Sequence, residues 1–222
     1  MLQGPFFAPS DIKYAVILCH GYGSNGDDLA GLIPFLSNAL PHTGFFCPNA
    51  PTPMMYNGYE WFSLSDYAGI PEMADRHYLD DLLKRAEKPA SLLSEYIEHI
   101  KTTYNLQDRN IISGGFSQGG LMALYTGLTG PHNIAGIIGC SAVPIVFENA
   151  IPTSSIKRKI PVLLTHGNTD DVVPVYGVNI TKDELQKANI KADICLSDGL
   201  GHGIDNTCLT TIISFISNIF KN

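Results

Sequence analysis

Charge is what this sequence has least of. Only 16% of its 222 residues are Asp, Glu, Lys or Arg, against about 25% in an ordinary globular domain. Two long tracts, residues 29–59 and 110–147, carry no charge at all, while 14 of the 35 charged residues crowd between Glu72 and Arg109. Cations are scarcer than anions, 14 against 21, for a net charge of −7. That excludes the basic footprint of a nucleic-acid binder. It also excludes electrostatic docking on anionic membranes.

Paired cysteines are missing as well. Cys19, Cys47, Cys140, Cys195 and Cys208 are odd in number, widely spaced, and form no CxxC. This argues against a disulfide framework or a metal centre and for small reduced side chains in a core. Long apolar runs are absent too. Gly114, Gly115, Gly119, Gly120, Gly127, Pro131 and Pro144 interrupt the 110–147 tract, so it falls short of the roughly 20 apolar residues a membrane span needs. The first residues, MLQGPFFAPSDIK, hold no basic segment followed by an apolar one, so no signal peptide is expected and the location expected is cytoplasmic.

What is present is apolar. Hydrophobic residues make up 45% of the chain, and the length suits one domain, residues 1–222, at roughly 100–200 residues per domain. Runs rich in β-branched residues recur at 14–19, 44–47, 109–114, 134–141, 160–166 and 192–197. Helical period separates them: Leu93, Tyr96, Ile97, Ile100 and Tyr104 share one face, and so do Leu209, Ile212, Ile213, Ile216 and Phe220. Residues 119–130 and 175–188 read as two more helices, and Pro89 predicts a kink or a fresh start in the charged tract. Strands alternating with helices predict an α/β fold, a mainly parallel sheet covered on both faces. Residues 47–75 read as a long loop with Pro48, Pro51, Pro53, Gly58, Gly69 and Pro71, a length that usually means function or motion.

Gly21-Tyr22-Gly23-Ser24-Asn25-Gly26 has the spacing of a dinucleotide fingerprint. Such a fingerprint needs a carboxylate about 20 residues later to hold a ribose. After Asp28 the next acid is Glu60, so the charge-free tract removes the nucleotide reading. A glycine-rich turn with backbone N–H groups free to meet an anion remains, with His20 before it as a packed turn residue.

Gly115-Phe116-Ser117-Gln118-Gly119 lies between a predicted strand and a predicted helix. This is the G-x-S-x-G elbow in its required setting. A turn that lifts a serine hydroxyl clear of a sheet strains the serine and crowds the residues two before and two after, so only glycine fits there. The same turn aims the amide of Gln118, at the helix start, toward a developing oxyanion. Serine needs a base, and the base an orienting acid. Downstream, the strand 160–166 ends in Gly167-Asn168-Thr169-Asp170-Asp171, and the strand 192–197 ends in Asp198-Gly199-Leu200-Gly201-His202-Gly203. His202 is the one histidine after His166. Adjacent carboxylates leave Asp170 and Asp171 both open as its partner.

At these residues the chain resembles the phospholipase/carboxylesterase family of α/β-hydrolases, which includes acyl-protein thioesterases. The resemblance rests on His20-Gly21-Tyr22-Gly23, Trp61-Phe62, residues 114–120, His166-Gly167 with Asp170 and Val173-Pro174, and Gly201-His202. It implies an α/β-hydrolase fold without a large cap domain, often dimeric; neither cofactor nor metal is expected. It implies Ser117 as nucleophile, His202 as base and then acid, Asp170 as orienter, and the N–H groups of Tyr22 and Gln118 as oxyanion hole. Asp171 stands where many relatives have proline, and Cys140-Ser141-Ala142 departs from their Leu-Ser-Gly. Met54, Trp61, Leu64, Val143 and Val173 are candidate acyl contacts. Three functions follow: an esterase or lysophospholipase, an acyl-protein thioesterase, or a relative that only binds a ligand.

Overall fold

Successive side chains of a strand face opposite sides of a sheet, and in this chain both sides are apolar. Ala15, Ile17 and Cys19 enter one core cluster while Val16 and Leu18 enter another. Ile111 and Ile112 divide in the same way, as do Ile137 and Ile138. A computed structural model describes residues 1–65, 75–147, 151, 156 and 160–221 and shows the sheet that these strands build.

The strands are β1 (Phe6–Phe7), β2 (Tyr14–Cys19), β3 (Thr43–Phe46), β4 (Thr52–Pro53), β5 (Tyr59–Glu60), β6 (Ile111–Phe116), β7 (Gly136–Cys140), β8 (Val162–Gly167) and β9 (Ala192–Ser197). Seven form one sheet in the order β1-β3-β2-β6-β7-β8-β9. All its pairs are parallel except β1 with β3, which is antiparallel. β4 and β5 form a separate small hairpin. The helices are α1 (Gly26–Ala30), α2 (Ile33–Ala39), α3 (Arg76–Tyr104), α4 (Gln118–Thr129), α5 (Tyr176–Lys187) and α6 (Asn206–Lys221). Buried residues of α3, α4 and α5 join the cluster on one face, and those of α1, α2 and α6 the cluster on the other. The mainly parallel sheet with helices on both faces is the α/β-hydrolase fold, and the described residues include no large cap domain.

Several boundaries moved. The strand expected from 109 begins at Ile111, because Asp108–Asn110 forms a 3-10 turn closed by the Gln107 and Asn110 side chains. Pro89 neither stops nor restarts its helix, since α3 runs unbroken from Arg76 to Tyr104. Proline inside a helix costs about 3 kcal/mol. The buried face of Leu79, Leu82, Leu83, Ala86, Ala90, Leu93, Ile97 and Ile100 outweighs it. The antiparallel edge strand β1 and the β4–β5 hairpin had no clear sequence signal, being only two residues per strand. Of the long loop 47–75, residues 66–74 lie outside the described residues. Among the described residues no helix is long and apolar enough to cross a membrane.

Candidate active site

Ligands of open α/β sheets bind beyond the carboxyl ends of the strands, and the residues singled out above converge there. Ser117 follows β6 with φ 55° and ψ −119°. A non-glycine residue in that region costs on the order of 1–3 kcal/mol and needs its surroundings to hold it. Four backbone bonds do so: Ser117 N–H donates to Cys140 O at 2.9 Å, and Ser117 O accepts from Gly120, Leu121 and Val143 at 3.0, 3.2 and 3.2 Å. The crowding expected at the flanking glycines is present. A Cβ on Gly115 would lie 2.2 Å from Gly119 O, and one on Gly119 would lie 2.1 Å from Cys19 O. Larger residues would push α4 off the sheet.

The amide of Gln118 is the first of α4, where helix N–H groups lack intrahelical partners. The amide of Tyr22 lies in the turn after β2. Among the described residues neither donates to a protein acceptor. That turn is pinned by Gly23 N–H to Tyr59 O at 2.9 Å and Tyr59 N–H to Ser24 O at 2.7 Å. His20 anchors its base. Nε2 of His20 accepts from Ala50 N–H at 2.9 Å, so the ring proton sits on Nδ1, 2.7 Å from Gly21 O. Burial pushes the His20 imidazole below its ordinary pKa, with the Gly21 carbonyl and the Asp28 charge opposing. It is a neutral structural group.

The end of β8 lies against the loop after β9. A Cβ on Gly167 would lie 2.1 Å from Leu200 O, and Asn168 and Thr169 N–H donate to Ser197 O and Leu200 O, both at 3.0 Å. This lacing delivers His202 to Asp170, with Nδ1 2.8 Å from Oδ2. A carboxylate only accepts, so Nδ1 carries the proton and Nε2 is left for other partners. Asp171 is exposed on the turn, while the Asp170 side chain is fully buried at 0%. Oδ1 of Asp170 accepts from Val172 and Val173 N–H at 3.0 and 2.8 Å. Burial pushes the Asp170 carboxyl up. The His202 bond, the Val173 amide, the His202 charge and the Val172 amide more than reverse this, leaving it below the usual carboxylate value. The His202 ring packs on Phe116, with centroids 4.6 Å apart.

Ser117, Gln118, Tyr22 and His202 line one cavity of about 780 Å³. Of the candidate contacts, Leu64, Val143 and Val173 line it; Met54 and Trp61 do not. Trp61 is instead a structural anchor, 2% exposed, with Nε1–H donating to His20 O at 3.0 Å. Met54 stays on the hairpin, its N–H bonded to Gly58 O at 2.7 Å. The Gln118 side chain fixes the neighbouring loop: Oε1 accepts from Trp61 N–H at 3.0 Å and Nε2 donates to Phe62 O at 2.8 Å. The remaining wall comes from residues the sequence had not marked as acyl contacts, among them Phe62, Leu29, Leu32 and Ile204, with Tyr78 and Leu82 of α3. The i,i+4 apolar spacing of Tyr78 and Leu82 was the one available signal, masked by the charges around it.

Comparisons with known proteins bear on the family and the fold. The sequence model of a family described as Phospholipase/Carboxylesterase matches residues 9–220. An acyl-protein thioesterase 1 of Emericella nidulans is 30% identical over 192 residues, covering 78% of this chain and 77% of that protein. An acyl-protein thioesterase 1 of Neurospora crassa is 27% identical over 227 residues, covering 96% and 90%. The crystal structure of esterase PE8 is similar with a TM-score of 0.87 and 36% identity, over 98% of this chain and 99% of that one. The chain belongs to the phospholipase/carboxylesterase family, and with it to the carboxylic ester hydrolases.

Proposed function

We propose that the protein hydrolyses carboxylic esters through an acyl-enzyme on Ser117, with residues 1–222 acting as one domain. The observation that carries this is that His202, paired with the buried Asp170, lines the same cavity as the strained Ser117. Ser117 Oγ attacks the carbonyl carbon while its proton passes to Nε2 of His202. The carbonyl electrons move to oxygen, which the Tyr22 and Gln118 amides hold as an oxyanion. Collapse expels the alcohol, which takes the proton from His202. Water then attacks the acyl-enzyme, with His202 as base, and releases the acid and Ser117.

The cavity supports a neutral acyl group. Among the described residues its lining includes no Lys or Arg, and the carboxylate that lines it is Asp28, which accepts from Ser24 Oγ. Leu64, Val143 and Val173 are the acyl contacts retained from the sequence. A thioester is the second reading, favoured by the two fungal relatives named acyl-protein thioesterase 1. The same attack expels a thiol in place of an alcohol.

Ser117→Ala removes the nucleophile. Hydrolysis of p-nitrophenyl esters and labelling by a fluorophosphonate are both expected to vanish, and labelling that persists in the variant refutes the proposal. Running two- to sixteen-carbon p-nitrophenyl esters beside a lysophospholipid and an acyl-thioester peptide separates the ester reading from the thioester one. A sharp short-chain preference argues against lipid and acyl-protein substrates.

A further inference from the structure

His166, the last residue but one of β8, is a buried imidazole, 1% exposed, and takes no part in the reaction proposed above. Its Nε2 lies 2.7 Å from Val173 O and 3.3 Å from Oδ2 of Asp170. A carbonyl oxygen only accepts, so Nε2 carries the proton and donates to Val173, with the same N–H edge turned toward the carboxylate. Val173 is thereby held at both of its backbone polar groups: its carbonyl accepts from His166, and its N–H donates to Oδ1 of Asp170 at 2.8 Å. Among the described residues, the ionisable cations within 4 Å of the Asp170 carboxylate are His166 on β8 and His202 on the loop after β9.

A buried imidazole costs free energy unless its N–H finds an acceptor, and an aliphatic residue would suit the interior of a parallel strand better. What the imidazole adds is one N–H at the point where the turn 170–173 must be closed. Without it, Val173 O is a buried acceptor with no donor, and the amides that hold Oδ1 are free to shift. We infer that His166 is the positioning residue of the catalytic acid: its Nε2–H braces the 170–173 turn so that Oδ2 of Asp170 faces Nδ1 of His202. This rests on the assignment of Ser117, His202 and Asp170 above.

The test compares His166→Leu, which keeps bulk and loses the donor, with His166→Gln, whose amide carries an N–H to about the same point. Rates are measured per active site titrated with a fluorophosphonate, so misfolded protein does not count. His166→Leu is expected to lower kcat by about 10²-fold, the loss that a misplacement of about 1 Å produces. KM for the same ester is expected to hold, because His166 does not line the cavity. The acid limb of kcat/KM is expected to shift in the Leu variant, since the imidazole then loses the carboxylate that it faces at 2.8 Å. Both effects are restored by Gln. A merely structural role would reduce the number of titrated sites and leave the limb in place. Should the Leu variant yield no titrated sites, His166→Asn, whose amide stops short of Val173 O, is read in its place. Unchanged kcat and limb per site, or a Gln variant no better than the donor-free one, overturns the inference. Failure of the underlying assignment looks different, because turnover would then survive Ser117→Ala.

Discussion

Oδ2 of Asp170 meets Nδ1 of His202 at 2.8 Å on a side chain with no exposure, while the adjacent Asp171 stands in solvent. The two carboxylates are neighbours in sequence and differ only in which way the turn after β8 points them. Asp170→Asn is expected to cut kcat by up to about 10⁴-fold, the effect of forcing the wrong tautomer on a catalytic histidine. Asp171→Asn is expected to leave turnover near the parent value. Steady-state ester hydrolysis by the two variants decides it, and the reverse order would transfer the role to Asp171. The lowered pKa of Asp170 has its own sign. Its stabilising contribution is fully present above the unfolded value of about 3.9 and is lost as pH falls through the lower folded value. The Asp170 carboxylate therefore stays charged throughout the mildly acid range.

His20 gives a pH dependence of opposite origin. Burial holds its folded pKa below the ordinary value. As pH falls below about 6.5, the unfolded chain takes up a proton that the folded chain refuses, so stability drops. His20→Gln keeps an acceptor for Ala50 N–H and does not titrate. Thermal midpoints at pH 7 and pH 5 are expected to differ less in the variant than in the parent. An equal drop in both would show that His20 does not carry the effect.

Leu82 reaches the cavity from α3 and is 1% exposed. Leu82→Trp narrows that wall, at an overpacking cost of about 1–3 kcal/mol. Turnover of a p-nitrophenyl ester with a long acyl chain is expected to fall about tenfold or more relative to the acetate, the scale on which pockets discriminate by a methylene. Equal losses on acetate and long-chain esters would mean that the acyl group does not run toward α3.

Much of this protein could be read along the chain. The strands 14–19 and 192–197 were found to the residue: the first is buried on both faces and leaves a short, uninterrupted apolar run, whereas the second is an edge strand with Ile194 and Leu196 exposed, marked only by its apolar-rich composition. The elbow was legible because its sterics admit only glycine at 115 and 119. The charge-free tracts proved to be sheet and cavity wall: residues 110–147 supply β6, α4 and β7, and Leu29 and Leu32 face the acyl space. The helix does not start afresh at Pro89, because its buried face outweighs the local cost of the proline and local propensity says nothing of that face.

The sequence by itself determined the chemistry: a serine on a strained turn, a late histidine, a pair of acids, and no cation in the first charge-free tract to grip an anion. Those are properties of residue type and local spacing. The resemblance had named Asp170, and the tertiary structure shows that acid, not Asp171, facing the histidine; the tertiary structure alone decided that Trp61 anchors while Phe62 and Leu82 line the cavity, and that His166 bonds the turn behind Asp170. Each depends on side chains tens of residues apart meeting at one edge of the sheet, and strand register and loop packing set that meeting without leaving a local trace.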